Sequence, residues 1–277
     1  MSNIPIALTI AGSDNCGGAG FQADLKTFQM QRVFGMTTIT AIPVQNSLGV
    51  YDIHPVPLNI IEGQLKAIAD DYQVNAFKIG MLGNTAIIEC IAHALKKYDF
   101  GRMVLDPVMY AKGGAALLEP DAVEALRTLL VPNAEVITPN LPEAEALTGI
   151  NIVDDNTACE AAEKLRAMGV RHAVIKGGHS ENSQSDVCRD WLFTPTEILH
   201  FDSPRFNTRH THGTGCTFSA CIAAELAKGA QVVDAVKTAK AFITAAISHP
   251  LNIGHGHGPT NHWAYAEYNQ KAVKEKR

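Results

Sequence analysis

The stretch "IALTIAGSDNCGGAGFQADLKTFQMQRVFGMTTITAIPV" (residues 6–44) decides the fold. A short apolar run, "IALTIAG" (6–12), is followed by an amphipathic segment, "FQADLKTFQMQRV" (21–33), and then by a second apolar run, "TTITAIPV" (37–44). Short apolar runs bounded by turn-forming residues suit buried strands, and the segment between them suits a helix, so the three make a βαβ unit of a mainly parallel sheet. The same alternation continues along the chain. Further strands are expected at "AFKIG" (76–80), "MVLDP" (103–107), "EVITP" (135–139) and "HAVIKGG" (172–178). "DVCRDWLFT" (186–194) and "EILHF" (197–201), joined across Pro195, read as a hairpin. Thr157-Ala158-Cys159-Glu160 has the spacing of a capping box, and Gly169 is placed to end the helix it starts. In "YAKGGAALLEP" (110–120), paired glycines after a strand end could hinge a flap over a site.

A chain of 277 residues, 46% hydrophobic and 18% charged, can bury a large core, and residues 1–277 are expected to form one domain of the larger α/β kind. A net charge of -5 offers no broad basic surface, and the closing "KAVKEKR" reads as a solvated helix end, which argues against a nucleic-acid partner. Cys16, Cys90, Cys159, Cys188, Cys216 and Cys221 form no C-x-x-C pair, so neither a disulfide framework nor a zinc ribbon is suggested. The first residues have no basic start before their apolar run, and no stretch reaches the roughly 18 apolar residues of a membrane helix. The expectation is a soluble, unexported, cytoplasmic protein with no membrane partner.

Ligands of parallel α/β sheets bind beyond the carboxyl ends of the strands. There this chain carries "GSDNCGGAG" (12–20), "QNSLG" (45–49), "GMLG" (80–83), "DPVM" (106–109), "PNLPE" (139–143), "KGGH" (176–179) and "HGTGCT" (212–217). The last is the strongest signal. Gly213 and Gly215 let main-chain N–H groups of a turn and a first helical turn converge into a cup for an oxyanion or phosphate. The same residues also suit a plain tight turn before a helix. Neither a P-loop nor a dinucleotide fingerprint occurs. Asn140 and Glu143, three apart, fit a capping box, or a carboxylate holding a magnesium-bound water near phosphates. Asp106 before Pro107 fits a turn residue or a site group, and Lys176 before two glycines fits a surface ammonium or a phosphate contact. Gln45 and Asp24 on their own read as solvated polar residues. The histidines of "HTH" (210–212) and "GHGHG" (254–258) have no evident third partner for a metal.

Taken together, "ALTIAGSD", "GGAGFQADLKTF", "VQNSLGV", "KIGML", "LDPVM" with "AKGG", "ITPNLPEAEAL", "IKGGH", "DWLF" and "THGTGCTFSA" resemble the hydroxymethylpyrimidine/phosphomethylpyrimidine kinases of thiamine biosynthesis, a ribokinase-like family. The likeness runs in order from residue 7 to about 225. It implies a three-layer α/β/α sandwich with a mainly parallel central sheet, ATP and Mg2+ as cofactors, and a homodimer. It also implies phosphorylation of the pyrimidine's hydroxymethyl group, then a second transfer giving the diphosphate. By the resemblance, Gly213, Thr214, Gly215 and Cys216 form the anion hole over the transferring phosphoryl group, and Cys216 stands where most ribokinase-like kinases carry an aspartate base. Lys176 contacts nucleotide phosphates, as Asn140 and Thr214 also do; Asp106, Asn140 and Glu143 arrange magnesium and its waters; Gly12, Asp24, Gln45, Met81 and Val108 line the pyrimidine pocket. A carboxamide such as Gln45 can pair with both the ring nitrogen and the amino group of an aminopyrimidine. Lys112, in the flap, is placed to hold the phosphate of the intermediate.

Two departures stand out. Asn15 and Cys16 occupy the place of a Pro-Ser-like pair, which makes Cys16 a second thiol at the mouth. A related branch of bacterial pyridoxal kinases holds the aldehyde with a flap cysteine where this chain has Ala111, which weakens the alternative of a pyridoxal/pyridoxine kinase. A nicotinamide oxidoreductase lacks its fingerprint, and a non-catalytic ligand sensor leaves the combination of Lys176, Asp106, Glu143 and the glycine cup without a purpose. For Cys216, a helix N-terminus lowers a thiol pKa from about 8.5 and nearby phosphates oppose this, so a useful thiolate fraction is expected. The alternative is a small packing residue that contributes only its N–H.

Overall fold

The computed structural model describes residues 4–111, 113–179 and 186–267. β1 (Ile6–Ala11), α1 (Gly20–Met30) and β2 (Phe34–Ile39) form the expected unit, with β1 and β2 parallel and Ile6 opposite Phe34. "TTITAIPV", read as one strand, divides in two. After Ile39 the chain leaves the main sheet, and β3 (Ala41–Asn46) pairs antiparallel with β4 (Gly49–Pro55) in a separate two-stranded lobe. Thr40 is the pivot: its N–H donates to Ala11 O (3.1 Å) and its Oγ1 to Met81 O (2.8 Å). Thr37, Thr38, Ile39 and Thr40 are all β-branched and Ala41 follows them, so no turn-forming residue stands at the pivot itself.

Among the described residues the main sheet has eight strands in the order β10-β9-β8-β7-β6-β5-β1-β2. β5 (Ala76–Ile79), β6 (Arg102–Leu105), β7 (Val136–Ile137) and β8 (His172–Lys176) are parallel to β1. The expected hairpin, β9 (Val187–Phe193) and β10 (Ile198–Pro204), adds an antiparallel edge.

Successive side chains on a strand point to opposite faces, and this sheet sorts them by size. Leu8, Ile10, Phe77, Ile79, Met103, Leu105, Ile137 and Ile175 pack on one face. They meet α2 (Leu58–Asp71), α3 (Thr85–Leu95), α4 (Ala122–Ala125), α5 (Leu141–Thr148) and α6 (Asp155–Ala167). Ala7, Ala76, Val104, Val136 and Val174 line the other face, under α1, α7 (Thr214–Ala227) and α8 (Val232–Ser248). The small row meets Ala220, Ala223 and Ala224, so α7 lies close over β1, β5 and β6, and its N-terminus reaches the carboxyl ends of the strands. Two helical layers around the sheet make the three-layer sandwich.

The capping box of α6 lies three residues before the expected one. Asp154 accepts the Thr157 N–H (2.8 Å), and Thr157 itself occupies the third helical position. Asp154 accepts a hydrogen bond as well as Thr does and lies at the extended residue before the helix, so it takes the cap. Gly169, at φ +107°, follows the helix end as expected. No helix among the described residues is long and apolar enough to cross a membrane.

Candidate active site

The face that carries the small residues continues, two positions further along each strand, as a polar row: Thr9, Lys78, Asp106, Thr138 and Lys176 follow Ala7, Ala76, Val104, Val136 and Val174. The row splits into two bonded groups. In the first, Asp24 of α1 accepts from Thr9 Oγ1 (2.6 Å) and Lys78 Nζ (2.9 Å), with both charged side chains fully buried. Burial alone would pull the Lys78 ammonium down, but Asp24, with Cys216 and Asp106 nearby, outweighs it and keeps Lys78 charged. In the second group, Asp106 accepts from Lys176 Nζ (3.2 Å), Thr138 Oγ1 (3.2 Å) and Ser219 Oγ of α7 (3.2 Å).

The turn before α7 is shaped by close backbone approach. Gly213 has φ +83°, and a Cβ there would stand 1.7 Å from Gly18 O, so a side chain is excluded twice over. At Gly215 a Cβ would come within 3.3 Å of Lys176 Nζ and 3.5 Å of Asp106 Oδ2, which places the ammonium and the carboxylate against the main chain of the helix start. Thr214 is held by its own turn, N–H and Oγ1 both donating to Thr211 O (3.2 and 2.7 Å). Among the described residues, the N–H groups of Gly215 and Cys216 find no acceptor, as expected at the positive end of a helix. Lys176 and these amides together form a cup suited to phosphate oxygens.

Cys216, half-buried, sits in the first turn of α7. Its thiol rests protonated, so the thiolate fraction is smaller than the helix start alone would give. Burial pushes the thiol up to about 11, helped by Asp24 and Asp106, against the opposing pull of Lys78 and of the Gly20 N–H. The helix terminus favours a thiolate, but desolvation in this crowded corner is the larger effect.

Asn140 and Glu143 form both halves of a capping box: Asn140 Oδ1 accepts the Glu143 N–H (2.9 Å) and Glu143 Oε2 accepts the Asn140 N–H (2.8 Å). The cap also brings Glu143 beside Lys176 and Asp106. Burial, with Asp106 close by, pushes its carboxyl up to about 7 against the attraction of Lys176. Among the described residues no group of three or more His, Cys, Asp or Glu is disposed to hold a metal ion alone. Asp106 and Glu143 instead fit a hard cation shared with phosphate oxygens and water, which would favour ionised Glu143.

The folded chain holds a proton on Glu143 that the unfolded chain releases near 4.5, so between about 4.5 and 7 this group destabilises the fold increasingly as pH rises. Glu143→Gln is expected to remove that slope. In thermal denaturation without nucleotide, the variant's Tm should gain on the parent's by a few degrees from pH 5 to pH 8; a pH-independent difference contradicts the assignment.

Gly12 and Met81 touch: a Cβ on Gly12 would stand 2.9 Å from Met81 Sδ. Val108, half-buried, follows Asp106, and Gln45 faces inward from β3. Asp24, expected on the pocket wall, is fully buried with its carboxylate committed to Thr9 and Lys78. Lys112 lies outside the described residues. Lys78 was not singled out from the sequence, although a lysine inside the apolar strand "AFKIG", on the face of Ala76, is the signal that marks it.

A three-layer sheet with an amide cup at the last helix and a lysine and carboxylates at the neighbouring strand ends defines the class of ribokinase-like small-molecule kinases. The model of the family described as phosphomethylpyrimidine kinase matches residues 14–261. A hydroxymethylpyrimidine/phosphomethylpyrimidine kinase of Haemophilus influenzae is 64% identical over 96% of this chain and 99% of its own length. Among solved structures, an ADP complex of Bacillus subtilis pyridoxal kinase superposes with a TM-score of 0.87 at 43% identity, covering 95% of this chain and 99% of the other. A phosphomethylpyrimidine kinase of Clostridium difficile gives 0.78 at 40% identity, covering 87% and 99%. This chain belongs to the phosphomethylpyrimidine kinase family.

Proposed function

We propose that this chain transfers phosphate from ATP to 4-amino-5-hydroxymethyl-2-methylpyrimidine, and then to the resulting monophosphate, making the pyrimidine diphosphate used for thiamine. The observation that carries the reading is the meeting of Gly213–Cys216 with Lys176 and Asp106 at a single cup. Phosphoryl transfer depends mainly on positioning and charge stabilisation, and these are what the cup supplies. The Gly215 and Cys216 N–H groups donate to charge growing on the phosphoryl oxygens. Thr214 shapes the turn, and Lys176 and the Asn140 amide hold nucleotide phosphates. Asp106 and Glu143 would hold magnesium through water, and the ion would neutralise phosphate charge. Gly12, Met81, Val108 and Gln45 bound the pyrimidine pocket, while Asp24 supports it from below through Lys78. Residues 1–277 act as one domain, and the enzyme works in the cytoplasm as a homodimer, without nucleic-acid or membrane partners.

A coupled ADP-release assay with hydroxymethylpyrimidine, its monophosphate and pyridoxal tests the reading. Turnover is expected with the first two, and ADP release with neither contradicts it. The likeness to a pyridoxal kinase supports a second activity on pyridoxal. Ala111, in the flap position of a hemithioacetal-forming cysteine, argues that pyridoxal is the poorer substrate.

A further inference from the structure

Gln45 is held at three points by three consecutive residues of the loop after β1. Its N–H donates to Asn15 Oδ1 (3.0 Å), and its carbonyl accepts from Cys16 Sγ (3.2 Å). Its carboxamide faces the Asp14 carboxylate. The β3–β4 ladder slips at this residue: Val44 pairs with Asp52 but Gln45 with Val50, leaving Tyr51 unmatched. Such a bulge re-aims a side chain and removes part of the ladder that would otherwise fix it. Asn15 and Cys16 bond the main chain of Gln45 from the loop after β1.

The loop that carries these partners is itself fixed. Asp14, almost fully buried, accepts the N–H groups of Cys16 (2.9 Å), Gly18 (2.9 Å) and Ala19 (2.7 Å), and His212 Nε2 lies 2.8 Å from its Oδ2. The clamp therefore joins a two-stranded lobe, which the chain enters by leaving the sheet at Thr40, to the turn that precedes the phosphate cup.

We propose that Asn15 and Cys16 are positioning residues for substrate recognition: they hold the main chain of Gln45 so that its carboxamide meets the aminopyrimidine edge. The proposal rests on the assignment of Gln45 to the pyrimidine pocket. A carboxamide reads a donor–acceptor edge only at fixed orientation, so loosening its backbone weakens pyrimidine binding and leaves the nucleotide site untouched.

The test is steady-state ADP release with hydroxymethylpyrimidine for Gln45→Ala, Asn15→Ala, Asn15→Asp, Cys16→Ala and Cys16→Ser, with Tm measured alongside. Gln45→Ala is expected to raise the KM for the pyrimidine most. Asn15→Ala should raise it about fivefold, the scale of one lost hydrogen bond, with the KM for ATP and the Tm little changed. Asn15→Asp keeps the acceptor oxygen and Cys16→Ser keeps a donor, so both should return the KM toward the parent value; Cys16→Ala should raise it about two- to threefold. Should Asn15→Ala fail to fold, the Cys16 pair carries the same comparison. If Gln45→Ala raises the KM and the Asn15 and Cys16 variants leave it unchanged, the clamp is overturned and the pocket assignment stands. No change with Gln45→Ala overturns the assignment itself. Equal rises in both KM values with a fallen Tm reduce the pair to general structural support and overturn the proposal.

Discussion

Cys216→Ala is expected to slow phosphoryl transfer to the hydroxymethyl alcohol by about 10²-fold or more, the usual scale of a lost general base, while sparing transfer to the monophosphate. The asymmetry lies in the nucleophiles. The alcohol must lose a proton as it attacks, whereas the phosphate oxygen of the second step is already ionised at neutral pH. With its thiol pushed up to about 11, Cys216 rests protonated, and at pH 7 the thiolate is a fraction of about 10⁻⁴. That small fraction is a correspondingly strong base, and the Lys78 charge and the Gly20 N–H favour it when it forms. The alcohol step should therefore accelerate as pH rises from 7 toward 10, by up to about tenfold per unit, with the monophosphate step nearly flat. Cys216→Asp, which restores a carboxylate ionised across this range, should flatten the profile. ADP release with each substrate separates the cases. Equal losses in both steps would leave Cys216 only its amide in the cup.

Asp24→Ala should destabilise the protein by about 3–5 kcal/mol, because it strands a buried ammonium without its partner. For a chain of this size the Tm would fall by on the order of 10 °C. Lys78 and Asp24 are both at 0% side-chain exposure, and Thr9 supplies the only other hydrogen bond to the carboxylate among the described residues. Replacing both together, Asp24→Leu with Lys78→Met, should recover much of the lost stability, since well-packed apolar pairs replace buried ion pairs at little cost. Activity should not recover with it: Lys78 favours the Cys216 thiolate more than Asp24 opposes it, so losing both should slow the alcohol step more than the monophosphate step. Thermal denaturation and the two-substrate assay report these separately. A single Asp24→Ala variant as stable as the parent contradicts the ion-pair assignment.

Much of this architecture is legible in local pattern, and particular residues show where pattern stops. Short apolar runs bounded by Gly, Pro and Asn locate the strands of the main sheet and the β9–β10 hairpin, because burial and turn chemistry act over a few residues. Gly213 ahead of α7 is legible for the same reason: a positive φ before a helix leaves a local mark. The division of residues 37–44 between two sheets is not local, since it depends on Thr40 bonding to Ala11 and Met81. Nor is the high thiol pKa of Cys216, which the helix start alone would have lowered; burial, with Asp24 of α1 and Asp106 after β6, raises it.

By itself, then, the order of residues determined the sheet, its helices and the glycine turn, since each depends on neighbours within one strand or one helical turn. Tertiary structure alone decided which polar groups meet: Asp24 with Lys78, Lys176 with Asp106, and Gln45 with Asn15 and Cys16. Burial and pairing are set by atoms 29 to 70 residues apart along the chain, and no local pattern encodes that distance.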